Sequence, residues 1–358
     1  MKYILFAFTS FIFLSCSNDD SKSDTDAASS DTLQAKVEVS EDESTIIEPV
    51  GVEYYDELAK FISGAPGIVT EQFKEFAEDT SWIRFSKQIN GSWNQFESQK
   101  LAAIKPWVNT EILAKNRFSK TVFYPFSGPD FTYLNAVQPE VETSYLFGLE
   151  PVGRIPDAST FDKDSLYQLF NAMRNAVDEN LNFSFFITRA MKNEMNNEQI
   201  SGTIPILMLF LAQSGKKILN IEPIQINTNG ELEVIPSDDM VDKDFKKIVE
   251  FSYTETGSGI IKKLYYFSMN INDHGFDRNP RMVKFFNNLP QDLTTFVKSA
   301  SYCMHQESFS KIRNVVVEKS TILIQDDTGV PFRFFDDTKW TYEFYGAYSQ
   351  PIATFELE

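Results

Sequence analysis

Two histidines and two cysteines in 358 residues leave few places where imidazole, thiolate or metal chemistry could sit. The densest constellation is Asn272-Asp273-His274-Gly275-Phe276-Asp277. There Asp273, His274 and Asp277 put two carboxylates and an imidazole within one expected loop, a donor set suited to a divalent cation or to proton transfer. Asx residues around a Gly also make an ordinary solvated turn, and one short acidic loop rarely completes a coordination shell. His305 follows Tyr302-Cys303-Met304 at the expected end of a helix, where the dipole favours a cation, and reads as a capping or core-edge residue. Cys303 reads as a small buried hydrophobe. Asp130 and Glu150 form a further pair of acids, and two carboxylates are all that glycoside hydrolysis needs.

Positioning Asp130 and Glu150 falls to the stretch from Thr121 to Gly153. It reads as strand, tight turn, short helix, strand, a βαβ-like segment near 121–150. A Gly-containing turn after one strand, Ser127-Gly128-Pro129-Asp130, with Glu150 closing the next, resembles a nucleotide or S-adenosylmethionine cradle. Residue by residue, the turn has a single Gly, Pro129 supplies no N–H, and Asp130 would repel a phosphate at the helix start. Asp130 therefore reads as an N-cap whose carboxylate accepts otherwise unpaired N–H groups. No cofactor is expected. Asp326-Asp327-Thr328-Gly329 resembles the Asp-Thr-Gly signature of aspartic proteases, but the chain has no second copy to complete a dyad, and the run reads as a hairpin tip.

The N-terminus carries a different kind of signal. Met1-Lys2 is a minimal positive region, Ile4 to Leu14 is apolar apart from Thr9 and Ser10, and Ser15-Cys16 ends the run short of the roughly 20 apolar residues a bilayer span needs. A small residue before a Cys at this point resembles the bacterial lipoprotein lipobox, and Ser17-Asn18-Asp19-Asp20 is similar to the surface-export signal of Bacteroidota lipoproteins. The resemblance implies removal of residues 1–15, acylation (palmitate) of Cys16 and a membrane partner reached through that anchor. It implies a cell-envelope location, at the outer membrane and facing the cell surface. With Cys16 acylated only Cys303 remains, so no intramolecular disulfide is available to the fold.

Residues 16–49 read as an acidic disordered tether. From 17 to 49 there are ten Asp or Glu, two Lys and no aromatic residue, a net −8. Such a coil reaches about 30 Å. From residue 50 the composition turns globular. A helical section at 50–118 is expected, with Tyr54–Ile62 and Glu71–Phe76 as short helices and the Trp82–Trp107 region as longer ones broken near Asn90-Gly91 and Pro106. The section from 119 to 358 reads as α+β, with mixed, mostly antiparallel sheets and flanking helices, forming one unit with 50–118.

Within it Asp164–Asp178 is an amphipathic helix, Phe183–Ile187 a strand or short buried element, and Ile204–Ala212 a buried apolar run. Lys217–Ile226 and Glu231–Ile235 form a hairpin about Asn227-Thr-Asn-Gly230, and Val249–Thr254 pairs with Ile261–Met269. Pro280–Asn287, Leu293–His305 and Phe309–Glu318 read as helices. Thr321–Gln325 with Pro331–Phe335 reads as a third hairpin, and Thr341–Phe355 as closing strands.

With 33 Lys plus Arg against 51 Asp plus Glu, a net −18, the chain lacks the basic surface that nucleic acid would require. The composition and the N-terminus together imply a surface-tethered lipoprotein that binds an extracellular ligand or protein partner. The alternative is a tethered hydrolase, acting on glycans, that uses a carboxylate pair near Asp130 and Glu150 or around Asp273, His274 and Asp277. A third reading is a structural component of the envelope with a broad exposed apolar patch.

Overall fold

Short apolar runs become strands and amphipathic runs become helices in a computed structural model that describes residues 3–8, 52–183, 201–236, 247–255, 257–349 and 351–352. Cys16 and the tether, most of the Phe183–Ile187 run, and Phe355 lie outside the described residues. A first strand, β1 (Tyr3–Phe8), precedes a helical block of α1 (Val52–Ser63), α2 (Glu71–Ala77), α3 (Thr80–Phe96) and α4 (Ile104–Trp107), with π-helical turns at Glu97–Leu101 and Val108–Leu113. Then come β2 (Thr121–Tyr124), α5 (Phe131–Val137), β3 (Thr143–Gly148), α6 (Lys163–Phe183), α7 (Ile204–Gln213), β4 (Lys216–Ile226), β5 (Leu232–Val234), β6 (Ile248–Glu255) and β7 (Lys262–Ser268). The chain closes with α8 (Asp273–Arg278), α9 (Pro280–Asn288), β8 (Leu293–Val297), α10 (Ser310–Lys319), β9 (Ser320–Asp326), β10 (Trp340–Tyr345) and β11 (Pro351–Ile352).

The eleven strands among the described residues join one sheet in the order β11-β10-β1-β9-β8-β2-β3-β7-β6-β4-β5. The α+β class and the βαβ segment at 121–150 hold, but the expected antiparallel majority does not. Six of the ten described pairings are parallel, and the antiparallel ones are confined to the β4–β7 meander and the β10–β11 margin. Of the seven strands that pair in parallel, β2, β3, β7, β8 and β9, taken in chain order, stand relative to one another as third, second, first, fourth, fifth. That is the doubly wound order, whose direction of travel reverses between β2 and β8.

The sheet is covered on both faces, as parallel strands require. Val122, Tyr124, Leu146, Leu264, Tyr266, Phe296 and Ile324 pack with α1, α3, α5, α6 and α7. Phe123, Phe147, Tyr265, Phe267, Val297 and Leu323, the alternate positions, pack with α8, α9 and α10. The second core is rich in rings: Phe147 stacks on Phe267 at 4.3 Å and 9°, and both Phe147 and Phe276 stack on Phe286.

Three local expectations fail for physical reasons. Helix α3 runs unbroken through Asn90-Gly91, because Phe85, Ile89, Trp93 and Phe96 bury one continuous stripe and the Asn90 amide donates to the Ser86 and Gly64 carbonyls. Leu293–His305 is not a helix. Leu293-Thr-Thr-Phe-Val297 is a wholly buried central strand, and a short buried run cannot be told from a helical turn by periodicity. Pro331–Phe335 does not pair with β9, whose two neighbours are β1 and β8; it forms a single 3₁₀ turn at Phe332–Phe334. Among the described residues no helix is long and apolar enough to cross a membrane.

Candidate functional site

Because β2, β3, β7, β8 and β9 run the same way, their carboxyl ends open on one edge of the sheet. Every acid or imidazole singled out in the sequence follows one of these ends: Asp130 after β2, Glu150 after β3, Asp273, His274 and Asp277 after β7, His305 after β8, and Asp326-Asp327 at the end of β9. Topology gathers them on one edge, and local bonding then divides them into separate clusters.

The centre lies at the switch point between β2 and β8. Asp130 caps α5 as expected: Oδ1 accepts from the Tyr133 N–H at 3.2 Å and the Thr132 hydroxyl at 3.0 Å. The second oxygen, Oδ2, accepts from the Tyr124 hydroxyl at 3.0 Å and from Lys298 Nζ at 3.2 Å, the latter arriving from the end of β8. This ion pair is deeply buried, with 3% of the Asp130 side chain and 12% of the Lys298 side chain exposed. Lys298 Nζ also stands 3.9 Å from the centroid of the Tyr133 ring, a cation–π contact of about 2 kcal/mol when desolvated. Burial and the neighbouring carboxylate push the Tyr124 phenol well above its ordinary range, so it stays protonated and donates. Four donors saturate one carboxylate.

Beyond Lys298 the chain takes left-handed backbone at Ser299, Ser301 and Tyr302, with φ of 55°, 51° and 56°. Asp326 holds this turn, accepting from the Ser299 N–H at 2.7 Å and from the Thr328 N–H and hydroxyl, while the Thr328 hydroxyl accepts from the Ala300 N–H at 2.6 Å. Burial pushes the Asp326 carboxyl upward against the pull of those donors. The Tyr302 phenol is pushed up to about 12 by its hydrogen bond to Asp327. Asp326-Asp327-Thr328-Gly329 is thus a brace for the β8 turn and not a hairpin tip.

Glu150 belongs to a second cluster. It is buried, and its Oε2 accepts from the Leu149 N–H at 3.1 Å and the Tyr266 hydroxyl at 3.2 Å. A Cβ on Gly148 would sit 2.5 Å from that oxygen and 2.9 Å from the Gly128 Cα, so the turns after β2 and β3 touch backbone to backbone. Ser127 sews them together, its hydroxyl accepting from the Phe147 N–H at 3.0 Å. Asp130 and Glu150 follow adjacent strands, yet each spends its oxygens on its own neighbours.

Asp273, His274 and Asp277 lie on a short helix, α8, and not in the expected loop; Asn272 is its N-cap. Asp273 accepts from the Ser310 hydroxyl at 2.6 Å and the Lys311 N–H at 2.9 Å, capping α10, and Asp277 pairs with the Lys311 ammonium. His274 points into solvent. Among the described residues no group of three or more His, Cys, Asp or Glu side chains assembles to hold a metal. His305 ends a 3₁₀ turn, half-buried with its ring edge-on to Tyr302, and burial and the nearby Arg333 lower its pKa. Cys303 is half-buried and forms no disulfide.

Lys298 and the tyrosines at 124 and 133 escaped the sequence reading. The signal for Lys298 was available only once Leu293–Val297 is a strand, since a Lys just past a buried parallel strand faces the ligand-binding edge. A 380 Å³ cleft lies over β10, lined by Phe332, Arg333, Phe335, Asp337, Tyr342 and Phe344. Phe332 meets Tyr342 and Phe344 edge-on, Tyr342 and Phe344 are parallel within 4°, and the Tyr342 hydroxyl donates to Asp337 at 2.7 Å. Compared with known proteins, the chain matches no family model, no curated protein and no solved structure.

Proposed function

We propose that the chain is a surface-tethered lipoprotein, anchored through Cys16, whose folded part binds an extracellular ligand or protein partner without nucleotide chemistry at its switch point. One observation carries this reading: where a doubly wound fold offers free N–H groups to a phosphate, this chain places a buried carboxylate already saturated by its own donors. An incoming anion would meet Asp130 and not a helix start, and it would have to displace the internal Lys298 pair. The cleft over β10 has the complementary character. Four aromatic side chains together with an arginine and a carboxylate suit a sugar ring or another flat, hydroxyl-bearing ligand.

The membrane-extracted protein, screened by thermal shift against oligosaccharides, peptides and nucleotides, tests this. An oligosaccharide that raises the melting temperature, with the rise lost in Tyr342→Ala and kept in Asp130→Asn, is the expected result. A nucleotide-induced rise abolished by Asp130→Asn would defeat it. Anchoring is read separately: Cys16→Ala should abolish incorporation of a fatty-acid label, and unchanged labelling would remove the lipoprotein reading.

A further inference from the structure

At the amino ends of β3 and β7, the sheet edge opposite the gathered acids, two lysines share one carboxylate. Glu255 Oε1, at the end of β6, accepts from Lys216 Nζ at 2.8 Å and from Lys262 Nζ at 2.9 Å. Bound to a single oxygen, the two ammoniums stand no farther apart than those two bonds laid end to end. Both lysine side chains are buried, with 9% and 10% exposed. Lys262 gives a second proton to the Pro139 carbonyl at 2.7 Å. Among the described residues neither ammonium pairs with another carboxylate, so in a chain of net −18 this corner carries one positive charge too many. The neighbouring Lys120 and Lys263 each have an acid of their own, Glu142 and Glu250. Burial, with Lys262 adding to it, holds the Lys216 ammonium below its ordinary range against the pull of Glu255.

Two further polar side chains close the corner. Strand register sets Lys216 opposite Glu255 and Lys262 opposite Tyr253, and it sets Ser144 beside Leu264, two residues on from Lys262 and on the same face. Helix α5 packs on that face, its Phe131 ring edge-on to Tyr253 at 5.7 Å. Gln138 ends α5 about two turns later, directly before the Pro139 carbonyl that Lys262 binds. Gln138 and Ser144 are both buried. Among the described residues neither amide atom of Gln138 nor the Ser144 hydroxyl has a hydrogen-bond partner, which is unfavourable for a buried polar group. The amide nitrogen and the hydroxyl can donate, as can the N–H groups that Lys216 and Lys262 do not give to Glu255 or Pro139.

We infer that this corner binds one small monovalent anion, a halide or a short carboxylate, between Lys216 and Lys262. The donors set its sign, since two ammoniums, an amide N–H and a hydroxyl converge where one shared carboxylate answers them. The surplus charge sets its valence: a single negative ion brings the corner to neutrality, and a divalent one overshoots. Enclosure sets its size, because Gln138 and Ser144 lie shut between α5 and the sheet. The inference stands on this corner alone and does not depend on the lipid anchor or on the cleft over β10.

The test is the melting temperature of the full-length protein, purified in a non-ionic detergent, as sodium bromide or sodium formate replaces sodium gluconate at constant ionic strength. Gluconate is too large for the corner, and constant ionic strength removes general screening. A saturable rise of a few degrees is expected with at least one of the two salts, bromide alone marking a halide site and formate alone a carboxylate site. Lys216→Met should abolish the rise, whereas Lys263→Met, next to Lys262 on β7 but paired with Glu250, should keep it. Gln138→Met, which removes a donor and no charge, should weaken the apparent affinity about tenfold and decides the matter if Lys216→Met does not fold. No rise with either salt, a rise that never saturates, or a rise of unchanged affinity in Gln138→Met would overturn the proposal.

Discussion

The switch point between β2 and β8 and the β9–β10 margin of the same sheet are closed in opposite ways. At the switch point closure is by side chains: Asp130, Lys298, Tyr124 and Thr132 come from the strands and turns that meet there. At the margin closure is by main chain, with β1 arriving from over 300 residues away in sequence to pair with both neighbours. A buried ion pair gains little net stability when formed, yet it is costly to break, because removing one partner strands a charge in low dielectric. A strand ladder instead spreads its bonds over many main-chain groups, so no single side chain decides it. The first region is therefore fixed by a few buried side chains, whereas the second is held by main-chain pairing along the whole length of β1.

Lys298→Met should have the largest effect, costing about 3–5 kcal/mol in urea denaturation by leaving the Asp130 carboxylate buried without its cation. Adding Asp130→Asn should recover most of that loss. A cost below about 1 kcal/mol would mean that the pair does not hold the switch point, and the contrast would fail. Gly148→Ala ranks next at about 1–3 kcal/mol, because its Cβ meets Glu150, the Tyr266 hydroxyl and the Gly128 backbone at under 3.0 Å. At the margin, Arg117→Ala removes a two-pronged bond to a part-exposed Glu343 and should cost about 1–2 kcal/mol. A loss as large as that of Lys298→Met would show that the margin, too, is held by charge.

The smallest effect is a pH dependence at His305. Burial lowers its pKa below the ordinary 6.5, so as pH falls the unfolded chain takes up the proton first. The stability that the neutral ring contributes is present above 6.5 and is lost as pH drops below that value toward the folded pKa. For a half-exposed ring the loss should stay under about 1 kcal/mol, and His305→Gln should flatten that limb of a melting-temperature profile.

Much of the local structure was legible in residue order. Asp130 as a cap, the Asn227–Gly230 hairpin, the β6–β7 pair and the helices at Tyr54 and Glu71 all rest on interactions within a few residues, which pattern alone records. The strand at Leu293–Val297 was not, because full burial erases the alternation that marks a strand facing water. Missing it hid Lys298, and with it the partner that turns a helix cap into a buried ion pair. The acids around His274 stand out in the sequence as a loop, yet they lie on α8, because they cap and pair with α10, a helix more than thirty residues further on.

The sequence by itself determined the acidic balance, the apolar run before Cys16, the helical block, the Asn227–Gly230 hairpin and the β6–β7 pair, all of which depend on composition or on neighbours along the chain. Only the tertiary structure decided the parallel strand order, the gathering of Asp130, Glu150 and Asp326 on one edge, the closure of that edge by Lys298, and the seat of Tyr3–Phe8 between β9 and β10. The physical reason is reach. Parallel pairing and buried charge join residues separated by long crossovers, and no local period encodes which distant strand or ammonium will stand beside them.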